Sequence, residues 1–122
     1  TDMLRGSVQI YRRFVTERSE VFRFIAGARG GGSRAIRDAI RTEESHFASE
    51  MAHDLRILGT LPDLSSATLQ MICGLVVTTM LNAASDILDL PDGHIQAEKE
   101  MIENFVRQLR LVFLGAARWR EG

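Results

Sequence analysis

Two E-x-x-H pairs, Glu43 with His46 and Glu50 with His53, are the residues of this sequence whose types and spacing come closest to a metal-ligand set. Carboxylate and imidazole three positions apart share one helix face. In di-iron carboxylate bundles such pairs sit on two different helices and converge with further glutamates. Here both pairs fall on one predicted helix, about 10 Å apart by the 1.5 Å rise per residue, so one metal centre cannot use them together. The next predicted helix carries no glutamate and only Asp86 and Asp89 near its end. No metal site is expected, because a lone helix supplies too few converging ligands.

The stretch GARGGGSRAIR, residues 27–37, raises a second chemistry. Gly30, Gly32 and Ala35 fit the permissive form of the dinucleotide fingerprint, in which a strand turns into a helix whose N-terminus faces a pyrophosphate. The preceding residues would have to form a strand. Instead Leu4, Val8, Tyr11, Val15, Phe22 and Ile25 recur at helical steps. The stretch therefore reads as a connection between helices, with glycines supplying positive φ and Ser33 capping the second of them. Arg29, Arg34 and Arg37 stand out there as candidates for a cationic mouth that receives phosphate. No Ser-His-Asp, Cys-His or paired-carboxylate set can be specified, so catalysis is not expected.

The elements that must position these residues are all helical, and an all-α bundle of about four long helices is predicted. The first covers roughly 4–28. The second runs from Ser33 to Leu58, ended by Gly59 and Pro62. The third is capped by Asp63, Ser65 or Ser66 and reaches about Leu90. The turn PDGH, residues 91–94, precedes a fourth helix to about Arg120. A chain of 122 residues with 45% hydrophobic and 25% charged residues suits one domain with a sizeable core. The apolar stretch 69–81 is too short to span a membrane. Lone Cys73 excludes an internal disulfide and suits core packing in a reducing cytoplasm. Net charge is −1, and of 15 basic residues only Lys99 is not arginine. That excess favours carboxylate and phosphate pairing, although coding bias would produce the same count.

The third and fourth predicted helices are apolar around much of their circumference, more than a small bundle buries. A second chain is the expected cover: a homodimer joined through these two helices as an intermolecular four-helix bundle. Leu81, Ala84, Ile87, Leu88, Ile102, Phe105, Leu109, Val112, Phe113 and Ala116 are its predicted interface. On helical wheels Arg18 falls within the apolar arc of the first helix, and Glu43 and Asp54 within that of the second, with Glu50 nearby. Buried charges need partners, so Arg18 is expected to pair with Glu43, Glu50 or Asp54. Around that pair Phe14, Phe22, Ile25, Phe47, Met51, Leu55, Met71, Leu75 and Met80, with Phe24, are candidate walls of an apolar ligand pocket oriented by Arg18.

The segments SRAIRDAIRTEESHFASEMAHDL, residues 33–55, and LRLVFLGAARWR, residues 109–120, resemble the C-terminal domain of TetR-family transcriptional regulators. The likeness is to the subgroup that represses unsaturated fatty acid synthesis, the DesT and FabR proteins. It implies an effector-binding and dimerisation domain, non-enzymatic, cytoplasmic and free of cofactors. The effector it implies is long-chain fatty acyl-CoA. Operator DNA would be bound by an N-terminal helix-turn-helix domain that this chain lacks, in keeping with its start at Thr1. The other functions left open are a domain for a different apolar small molecule and a helical dimerisation module without ligand.

Overall fold

A computed structural model describes residues 2–121. Five helices succeed one another: α1 (Asp2–Glu17), α2 (Ser19–Gly31), α3 (Arg34–Leu58), α4 (Ser66–Asp89) and α5 (Ile95–Ala117). The all-α class is as expected, but the predicted first helix is two. Arg18, at φ −120° and ψ 38°, leaves the helical region. The bend folds α2 back so that Tyr11 and Phe14 of α1 meet Phe22 of α2 edge-on, with ring centroids 6.1 and 5.9 Å apart. Such pairs contribute about 0.5–1.5 kcal/mol each beyond the area they bury. A straight helix would forgo them and carry α2 away from α3 and α4, both of which it touches.

The break also overturns the role expected of Arg18. Half-exposed, it lies with its guanidinium carbon 3.9 Å from the Phe14 ring centroid and its Nη1 3.8 Å from Glu17 Oε2. It pairs with none of Glu43, Glu50 and Asp54, which are exposed on α3. A wheel drawn through Arg18 fails because the helix does not continue through it.

Local chemistry sets the other boundaries. Ser33 Oγ accepts the Ile36 N–H and caps α3, and Ser65 Oγ accepts the Thr68 N–H and caps α4. Gly59 closes α3 at φ 66°, where a Cβ is unfavourable. The glycine-rich stretch differs from expectation: Gly27, Gly30 and Gly31 are helical and the α2–α3 connection is only Gly32 and Ser33. Gly32 is extended at φ −72°, and a Cβ there would lie 2.8 Å from the Ala28 carbonyl oxygen. Close approach of backbone, not positive φ, is the requirement at this position.

Helix α4 is the axis of the fold and touches each of the other four. One core cluster joins Val8 of α1, Val76 and Ala83 of α4, and Ile102, Phe105, Val106 and Leu109 of α5. A second joins Ala48 of α3, Leu64, Leu69, Ile72, Cys73, Val77 and Ala116. Cys73 is fully enclosed, and burial raises its thiol pKa. Over its full length α4 is long and apolar enough to cross a membrane, a property the 69–81 window understated. Its central place among four neighbours accounts for much of its apolar circumference, though Met71 and Leu75 stay exposed.

Within a single chain the residues of the predicted interface are mostly turned inward. Ala84, Ile102, Phe105, Leu109 and Ala116 are buried within one chain. Leu81, Ile87, Val112 and Phe113 pack against the same clusters, and half-buried Leu88 offers its carbonyl to Arg23 at 3.0 Å. The main apolar stripe of α5 faces its own chain because α1 and α4 cover it. The surplus lies elsewhere, on exposed Met71 and Leu75 of α4 and Leu111 and Leu114 of α5.

Two clasps close the bundle. Arg5 and Arg12 of α1 pair with Glu103 and Glu98 of α5. At the other end the Glu121 carboxylate accepts from the Ser65 N–H at 3.0 Å and the Thr68 hydroxyl at 2.8 Å. The Arg5 hydrogen bond lowers the Glu103 pKa, and the Ser65 and Thr68 hydrogen bonds lower that of Glu121. A depressed folded-state pKa contributes stability above the unfolded value, about 4.3 for glutamate, and loses it as pH falls through the folded value. The urea midpoint is therefore expected to drop on acidification below that pH. A Glu103→Gln, Glu121→Gln double variant should start lower at neutral pH and fall less steeply; parallel curves would show that the clasps do not carry the effect.

Candidate functional site: two adjoining cavities

Between α1, α2, α3 and α4 lies an apolar cavity of about 550 Å³, within the usual range for small-molecule sites. Helical spacing builds it. Ile36, Ile40, Glu43 and Phe47 form one stripe of α3, Phe22 and Ile25 lie one turn apart on α2, and Val77, Met80 and Leu81 share a face of α4. Tyr11 and Phe14 close it from α1. Of the predicted walls, Phe14, Phe22, Phe24, Ile25, Phe47 and Met80 are brought together. Phe14, Phe24, Ile36 and Phe47 remain exposed at its rim.

The other predicted walls lie elsewhere. Met51 and Leu55 pack into the core farther along α3. Met71 and Leu75 are exposed, roughly a third of a turn around α4 from Leu81 and Val77 at 100° per residue. Arg18 does not line the cavity. Tyr11, Ile36, Ala39, Ile40, Val77 and Leu81 were missed, although the Ile36–Ile40–Phe47 stripe was visible as spacing. The Tyr11 hydroxyl donates to the Met80 carbonyl at 2.8 Å, and burial raises the phenol pKa. The phenol thus stays neutral and tied to α4.

A second cavity, of about 610 Å³, adjoins the first and shares Phe22, Ile25, Glu44 and Leu81 with it. Its character is different: Arg29, Arg37, Arg41, Asn82 and Ser85 line it. Arg29 Nε stands 3.4 Å from Glu44 Oε2. Arg37 donates to the Gly32 carbonyl, and Arg41 lies 3.4 Å from Asp38. Of the predicted phosphate mouth, Arg29 and Arg37 are present. Arg34 is not: its side chain is 89% exposed and reaches only Asp38, at 3.9 Å. Arg41 takes its place, four residues after Arg37 on the same helix face. The E-x-x-H pairs do not assemble. His46, Glu50 and His53 are exposed, Glu43 alone borders a cavity, and no three His, Cys, Asp or Glu come together among the described residues.

An open apolar cavity inside a helical bundle is a form that small-molecule sites take. Over residues 1–112 the sequence matches the family described as the tetracyclin repressor-like, C-terminal domain. The chain belongs to that family. The matched span contains both cavities in full and most of α5. No solved structure matches the chain. As a TetR-type C-terminal domain it is the effector-binding and dimerisation part of a transcriptional regulator, and the apolar cavity is the candidate effector site.

Proposed function

We propose that this TetR-type domain senses long-chain fatty acyl-CoA for a repressor of fatty acid synthesis genes, in particular those for unsaturated chains. The observation that carries the reading is the adjoining of two unlike cavities. The first suits a hydrocarbon chain, and the second presents arginines to an anionic head. A dimerisation module with a solid core would need neither, and a wholly apolar effector would make no use of the arginine-lined cavity.

The domain acts in the cytoplasm as a homodimer, and a helix-turn-helix domain outside this chain binds the operator. Exposed Met71, Leu75 and Leu111 are the apolar residues of α4 and α5 that a second copy would cover. An effector regulates only if it prefers one conformer. Tyr11 and Phe14 make that possible because they are at once cavity wall and part of α1. A chain that displaces them shifts α1 against α4, and a DNA-binding domain attached before α1 moves with it.

Native mass spectrometry before and after adding palmitoyl-CoA or oleoyl-CoA tests the reading. A dimer retaining up to one acyl-CoA per subunit is the expected result. A dimer that retains neither would turn the search to another apolar effector, and a monomer would remove the proposed α4–α5 interface.

A further inference from the structure

The arginine-lined cavity contains its own competitor. Glu44 borders both cavities and holds Arg29 at 3.4 Å, the two side chains being only 20% and 30% exposed. Partial removal from water strengthens such a pair relative to an open surface. The lining nevertheless sets three guanidinium groups against one carboxylate, and with Asp38, outside the lining and 3.4 Å from Arg41, counted against them the arginines keep an excess of one positive charge. Arg37 is also anchored. It donates to the carbonyl of Gly32, the residue where α2 approaches α3 so closely that a Cβ would meet the Ala28 carbonyl oxygen. A guanidinium has five N–H donors, and this bond commits one of them while fixing where the rest are held.

Resting on the acyl-ligand reading, the geometry points to an anion subsite at Arg29, Arg37 and Arg41, in which a phosphate-bearing head displaces Glu44 from Arg29. The head is a phosphate ester rather than a carboxylate on grounds of charge. Guanidinium forks pair bidentately with either anion, but a phosphate monoester carries about −1.5 to −2 charge near neutral pH, enough to answer the positive lining and to displace Glu44 from Arg29. A lone fatty-acid carboxylate brings a single charge, no more than Glu44 itself supplies to Arg29. Glu44 is thereby a specificity-determining residue. It admits an apolar chain bearing a phosphorylated head and disfavours the free acid of the same chain.

Calorimetric titration of the chain with palmitoyl-CoA, palmitate and 1-dodecanol tests this. The wild type should prefer palmitoyl-CoA to palmitate. An Arg37→Gln, Arg41→Gln variant should bind palmitoyl-CoA about tenfold or more weakly, equivalent to about 1.4 kcal/mol or more, with dodecanol unchanged as proof that the apolar cavity is intact. Glu44→Gln should act in the opposite sense, tightening palmitate severalfold. If the arginine variant binds palmitoyl-CoA and dodecanol as the wild type does, the subsite is overturned while the apolar-effector reading stands. If the wild type binds none of the three probes, that reading falls and takes the subsite with it.

Discussion

Phe105→Ala should lower the free energy of unfolding by about 3–5 kcal/mol, the cost of deleting a buried aromatic side chain. Phe105 is 3% exposed and lies in the cluster where α1, α4 and α5 meet. Its ring centroid is 5.9 Å from that of Tyr11, so the substitution removes an aromatic pair as well as packed volume. Against a typical total of about 5–15 kcal/mol, the loss is a large fraction of the domain's stability. Urea titration at one fixed protein concentration measures it; fixing the concentration matters because dimerisation would add a mass-action term. Ile57→Ala is the comparison, since Ile57 of α3 is 70% exposed and lies off the proposed α4–α5 interface, and it should cost within about 0.5 kcal/mol. Equal losses at the two positions would mean that the core is misplaced.

Ala39→Trp should weaken palmitoyl-CoA binding by roughly tenfold or more, about 1.4 kcal/mol at the least, while leaving the fold in place. Ala39 is the smallest side chain in the wall of the apolar cavity and is itself exposed. A tryptophan there extends into the void instead of replacing a packed neighbour, so the penalty falls on the ligand. Thermal melting followed by circular dichroism checks the fold, and calorimetry checks the affinity. Wild-type affinity in a normally folded variant would move the acyl chain out of this cavity.

Helix boundaries were legible where single residues make them. Ser33, Ser65 and Gly59 act through hydrogen bonds and φ angles a few residues long, and the structure places them as the sequence implies. The break at Arg18 was not legible because no glycine or proline marks it; it is imposed by the distant packing of α2 on α3 and α4. The cavity was half legible for a related reason. Spacing puts Phe22 and Ile25 on one face of α2 and Ile36, Ile40 and Phe47 on one face of α3. Which side of α4 is inward cannot be read from a helix apolar nearly all round, so Met71 and Leu75 were placed in the pocket and Val77 and Leu81 were not. The same ambiguity holds on α5: a strong apolar stripe says that something covers it, and within the chain the cover is α1 and α4. Arg41 joins the second cavity through the turn of α3, which sets it on the face of Arg37, a relation that nearness to the glycine-rich stretch does not reveal.

The central position of α4 has a consequence for the chain during synthesis. Translation delivers the helices in order, and the 23 residues of α5 take roughly one to five seconds to add at ribosomal rates. Through that interval α4 is already made, with α1, α2 and α3 available to shelter part of its circumference and the side destined for α5 still bare. The newborn chain is thus exposed to association with its neighbours until α5 has been added, and the short PDGH turn, which brings α5 back onto α4 without a long search, limits how long that vulnerability lasts.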